Sequence, residues 1–113
     1  MKTLHLTLNK PPFDTMETGL KDSEYRKPSK WIKSRLIDSK TGKDKDIDFV
    51  RLTNGYGADK PYYICRYLGY EIAKRTYAVN YSNGFSIRVF KGQYRILLGK
   101  PLKIGNIDSK ELF

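Results

Sequence analysis

At 113 residues and 13.2 kDa the chain is long enough for one hydrophobic core and too short for two, so a single domain over residues 1–113 is expected. Twenty-two Lys and Arg against twelve Asp and Glu leave a formal charge of +10 and a pI near 9.7, which favours polyanionic partners, nucleic acid first. No apolar run approaches the roughly 18 residues of a membrane span, and no leader pattern opens the chain, which argues against a membrane or secreted protein. One Cys and one His cannot assemble a zinc cluster, so no metal and no cofactor are expected. The lone Cys65 sits in an apolar run and points to a reducing, cytoplasmic setting.

Leu4, Leu6 and Leu8 alternate with Thr3, His5 and Thr7, so residues 2–8 read as a half-buried strand with the leucines inward and His5 on the polar side. Asn9 is a plausible N-cap and Pro11 and Pro12 fit a first helical turn. Phe13, Met16 and Leu20 follow at helical spacing, and Gly19 is placed to end that helix. A second helix is predicted near residues 29–38, with Trp31, Ile32, Leu36 and the stem of Arg35 as its face and Trp31 read as a core anchor. Residues 39–46 hold no apolar side chain and are expected to form an exposed, mobile loop.

Strand character resumes at Ile47 and Phe49 and ends at a turn through Asn54, Gly55, Tyr56 and Gly57. Residues 62–72 form a β-prone run with Tyr63, Cys65 and Tyr67 on one face, and Gly69 is expected to bend it. Glu71 follows as either a second acidic group for a site or the partner of Arg66 or Lys74. From Ile72 to Ile107 there is no acidic residue, while Lys74, Arg75, Arg88, Lys91 and Arg95 alternate with Tyr77, Tyr81, Phe85, Phe90 and Tyr94. Cations interleaved with aromatics suit phosphate contact beside base stacking, so this stretch is the expected backbone-tracking face. Asn83-Gly84 marks a turn, residues 85–90 alternate as a strand, and a last strand from Tyr94 to Leu98 closes the sheet.

The stretch from Gly19 to Arg26 concentrates chemistry. If it runs extended, Glu24 and Arg26 project to one side, and a turn after Gly19 brings Lys21 round to them. The plain alternative is a surface ion pair worth under about 1 kcal/mol, with Lys21 solvated. Gly19, Lys21, Glu24 and Arg26 match the G-x-K-x-x-E-x-R pattern, and on these residues the chain resembles the ASCH family of the PUA-like superfamily. The likeness extends through the opening strand, Trp31-Ile32-Lys33 and the Asn54-Gly55-Tyr56-Gly57 turn, covering residues 1–72 well and the rest weakly.

Short strands, early helices and frequent glycine turns argue for an α+β domain whose sheet curls on itself. The resemblance implies a PUA-like closed or partly open β-barrel with two short N-terminal helices packed beside it. It also implies a cleft for RNA or a modified nucleoside, with Arg26 on phosphate, Lys21 and Glu24 on base or sugar, and Asn54 and Tyr56 nearby. The first reading is therefore a binding module for single-stranded RNA or a modified nucleoside, its late basic face of Lys74, Arg75, Arg88, Lys91 and Arg95 holding the backbone.

The alternative is a small metal-independent hydrolase using Lys21 and Glu24, with Glu71 as a further acid. The resemblance allows a ribonuclease or an acetylcytidine amidohydrolase, but the threonine that the latter needs three residues after the lysine is Glu24 here. Enzymatic status is thus open from sequence. A host or partner protein engaging the basic face is the third reading.

Overall fold

The computed structural model describes residues 2–8, 22–55 and 59–105. The chain runs β1 (Thr3–Leu8), β2 (Ser23–Arg26), α1 (Lys30–Leu36), β3 (Phe49–Asn54), β4 (Tyr62–Ile72), β5 (Tyr77–Asn80), β6 (Ser86–Val89) and β7 (Tyr94–Gly105). Five strands make one sheet in the order β1-β3-β4-β7-β2, and β5 with β6 forms a separate two-stranded ribbon. Only the β1–β3 pair is parallel. The fold is mostly strand with one helix, and the large sheet curls into a half-barrel. The first of the two expected helices falls in residues 11–20, outside the described residues.

The leucine alternation of β1 sets which side of the sheet is inside. Leu4, Leu6 and Leu8 are buried, and their register partners Val50 and Leu52 on β3, then Cys65 and Tyr63 on β4, continue the same inner face. Tyr94, Ile96 and Leu98 of β7 complete it, with Ile32 and Leu36 of α1 packed against it as one core. Each such aliphatic side chain contributes about 1.5–3 kcal/mol on burial.

The helix is shorter than expected and turned differently. Ser29 caps it by accepting the Ile32 N–H at 3.1 Å, and Ile37 leaves it in extended backbone. With only Ile32 and Leu36 buried, four residues apart, Trp31 cannot share their stripe. It stands 46% exposed with the Arg35 guanidinium over its ring, which corrects the reading of Trp31 as a core anchor. Residues 39–46 are exposed as expected, but they are hydrogen-bonded. Asp38 takes the Lys40 N–H, the Asp38 and Lys43 backbones pair, and Ile37 bridges to Asp44.

Strand β7 extends to Gly105, well past Leu98. Its pairing with β4 shifts register three times, and the shift between Tyr67 and Tyr70 contains Gly69 at φ 105°. Two steps on β7, from Leu98 to Ile96, face three on β4, which is a bulge with one extra residue. That extra residue reverses which side chains face inward from there on.

Candidate functional site

Strand β2 is short, extended and at the sheet edge, with Glu24 opposite Ile96 and Arg26 opposite Tyr94. Both partners face the core, so Glu24 and Arg26 project together onto the inner side, as period-two spacing predicts. Glu24 is 6% exposed, and its Oε1 accepts the Tyr25 N–H at 3.0 Å. Its Oε2 lies 3.8 Å from Arg26 Nη2, too long for a strong hydrogen bond but close enough for charge attraction.

Arg26 Nη2 also donates to the Thr7 carbonyl at 2.8 Å. Thr7 belongs to β1, the opposite edge of the sheet. A guanidinium thus spans the two edge strands where no ladder connects them. Arg26 Nε is buried and makes no hydrogen bond among the described residues.

The pair opens into a cavity of about 510 Å³, whose described walls include Thr7, Glu24, Arg26, Ser29, Trp31 and Gln93. Glu24 is the one carboxylate among these described walls. The cavity offers a buried acceptor, a cationic donor and an indole face within one concave space, a combination suited to a flat, polar, hydrogen-bonding ligand. Among the described residues no group of His, Cys, Asp and Glu is arranged to hold a metal ion.

The outer face of β2 is occupied differently. Ser23 and Tyr25 point away from the cavity, towards Arg95 and the β5–β6 ribbon. Arg95 Nε donates to Ser23 Oγ at 2.8 Å, while its Nη atoms lie 3.5 Å from Glu71 and 3.7 Å from Asp22. Burial first, then a hydrogen bond with Tyr77, pushes the Tyr25 phenol far above its ordinary value. Tyr81 is pushed up to about 12 by burial and then by the negative charge of Asp22 and Glu24. These tyrosines are therefore neutral groups near neutral pH.

Other predicted site residues scatter over three places. Lys21 and Tyr56 lie outside the described residues. Asn54 pairs in register with Leu8, a cavity-wall residue, and so sits on the cavity's flank. Glu71 does not join Glu24. The bulge at Gly69 turns it to the outer face opposite Arg95, where its side chain is 57% exposed, so the structure places it with the ion-pair partner reading and away from the cavity.

Of the five late cations, Lys74 and Arg75 are exposed in the turn before β5, and Lys91 in the turn after β6. Gly92 N–H to Ala73 O at 2.8 Å and Lys91 N–H to Thr76 Oγ1 at 3.1 Å tie these turns together. Arg88 is exposed on the ribbon's outer side, opposite Ala78. Arg95 is instead held among Ser23, Glu71 and Asp22.

Sequence reasoning missed Thr7, Ser29, Trp31 and Gln93 as cavity walls. For Trp31 a signal existed, since Ile32 and Leu36 alone fill the stripe of a seven-residue helix. Gln93 is brought in by the turn before β7, where its Oε1 also takes the Phe90 N–H, and no local pattern announces it.

No protein-family model matches the chain, and neither the curated proteins nor the solved structures contain a recognisable relative. The fold and the cavity geometry are therefore the ground for a functional reading.

Proposed function

We propose that the chain is a nucleotide-binding module whose cavity takes one base of an RNA, or a modified nucleoside, on Glu24 and Arg26. The carrying observation is the pairing of a 6% exposed carboxylate with a guanidinium whose Nε is buried without a hydrogen bond, both on the wall of a cavity of about 510 Å³. A buried donor left unsatisfied costs about 1–3 kcal/mol, and a ligand acceptor placed there recovers it. Glu24 accepts from base or sugar donors, Arg26 serves phosphate or a base acceptor, and Trp31 offers a stacking face.

The likeness of Gly19, Lys21, Glu24 and Arg26 to the ASCH signature supports the same reading, as does the charge of +10. In that reading Lys74, Arg75, Arg88 and Lys91 follow the backbone, with Lys21 joining the cleft. Hydrolysis draws on the same resemblance, but Glu71 lies on the opposite face of the sheet from Glu24, so binding is the reading the geometry favours.

Trp31 is the sole tryptophan, so its fluorescence reports the cavity without a label. Titration with a panel of nucleosides and nucleoside monophosphates is expected to quench it for at least one member. Glu24→Gln should weaken that binding by about tenfold, from loss of a charge-assisted hydrogen bond. No quenching by any member, or quenching that Glu24→Gln leaves unchanged, would overturn the reading.

A further inference from the structure

The outer face of the large sheet carries a pattern independent of the cavity. Its register aligns His5 of β1, Arg51 of β3, Ile64 of β4 and Lys103 of β7 in one row. The neighbouring rows hold Phe49 beside Arg66, and Thr53 beside Tyr62. None of the outward positions of β1, of β3, or of β4 from Tyr62 to Arg66 is Asp or Glu.

Two arginines on this face are stacked. The Arg51 guanidinium lies 3.9 Å from the Tyr62 ring centroid, and Arg66 lies 6.0 Å from that of Phe49. Tyr62 lies flat because its β7 neighbour is Gly105, where a Cβ would collide with the ring. The result is a flat charged platform in place of protruding apolar side chains.

The platform continues past β1. His5 also lines a second cavity of about 420 Å³ with Lys2, Trp31, Arg35 and Lys45. There Arg35 stacks on Trp31 at 5.3 Å, a third arginine–aromatic pair on the same continuous surface. Asp48, at this end, is occupied by the Lys2 N–H at 3.0 Å.

We infer that the outer sheet face is a binding surface for single-stranded nucleic acid. Unpaired bases stack on the guanidinium planes of Arg51 and Arg66, while phosphates follow His5 and Lys103 and reach the Lys2–Arg35–Lys45 cavity. Charge selects a polyanion, and stacked planes spaced across neighbouring strands select one with free base faces, which a duplex does not offer. An anionic membrane would be met by apolar side chains reaching beyond the surface, whereas here the rings lie beneath guanidiniums.

The test is fluorescence anisotropy with labelled 12-nucleotide uridine-rich RNA and the matching DNA, at rising salt. Three proteins of known melting temperature are compared: wild type, the face variant R51Q/R66Q/K103Q, and the turn variant K74Q/R75Q/K91Q. The two variants lose equal charge, so a diffuse attraction weakens them equally. The face variant is expected to lower the slope of log affinity on log salt by about 2, at about 0.7 per lost contact, and the turn variant by much less. Tyr62→Ala, at unchanged charge, should cost about fivefold or more.

Equal or greater loss in the turn variant overturns the inference. So does binding of phosphatidylserine-containing vesicles through this face with no oligonucleotide binding by the wild type. A preference between RNA and DNA identifies the strand, and either supports the surface. Photo-crosslinking of 4-thiouridine RNA to the unaltered protein is independent of variant folding: adducts at Tyr62, Phe49 or Trp31 support it, and adducts confined to residues 74–91 overturn it. Nucleosides lack phosphates, so failure of the cavity reading in the Trp31 titration leaves this result separately readable.

Discussion

Arg26 carries two tasks with one side chain, since it balances the buried Glu24 and bridges to Thr7 across the open edges of the sheet. Arg26→Met should cost about 2 kcal/mol, the scale of a charged hydrogen bond together with an ion pair discounted for an arginine side chain 28% exposed. In a Glu24→Gln background the same change should cost less, because no buried carboxylate is left without its cation. Urea unfolding of the four proteins measures the difference, and purely additive costs would show that the pair is not coupled.

The alignment of Glu24 with Arg26 was legible because alternation in an extended strand needs only the two-residue spacing. The place of Glu71 was not. Its side follows from the extra residue at Gly69, and counting by twos from Tyr63 sends Glu71 to the wrong face.

At the scale of elements, the sequence placed most strands within a few residues because inward leucines, isoleucines and tyrosines alternate with polar side chains. It missed β5, although Tyr77 and Val79 alternate with Ala78 and Asn80, because the segment was read for charge. The extension of β7 beyond Leu98 was hidden by Gly99 and Pro101, which end many strands but here sit at register shifts. The turn at Gly92 shows how far such punctuation can be trusted. Its φ of 93° is left-handed and its N–H holds Ala73, so Gly92→Ala should cost about 1 kcal/mol and lower the melting temperature by about 4 °C. Nothing lies within 4 Å of the added methyl, so the cost is backbone strain alone. Gly92→Asn should therefore recover part of it, and equal losses in both would point to another cause.

For the whole molecule, net charge and buried phenols pull stability in opposite directions as pH rises. Tyr67, Tyr70 and Tyr81 are each pushed up to about 12, chiefly by burial, with Asp44 adding to the first two and Asp22 to the third. Tyr25 lies higher still, and burial lifts the Cys65 thiol to about 11. The folded chain therefore keeps protons that the unfolded chain releases from about pH 9 to 10. The stability they confer is complete below that range and is lost as pH climbs through about 11 to 12. Against this, lysines titrating near 10.4 reduce the +10 charge and relieve self-repulsion. At about 0.15 M salt that repulsion is screened beyond roughly 8 Å, whereas the cost of burying a phenolate is local and unscreened. Burial should win: the melting temperature is expected to hold between about pH 7 and 9 and to drop by about 10 °C or more near pH 11. Tyr81→Phe removes one of the titrating phenols and should make the alkaline drop shallower. A melting temperature that rises between pH 9 and 11 would mean that charge repulsion, and not the buried tyrosines, sets the alkaline limit of this fold.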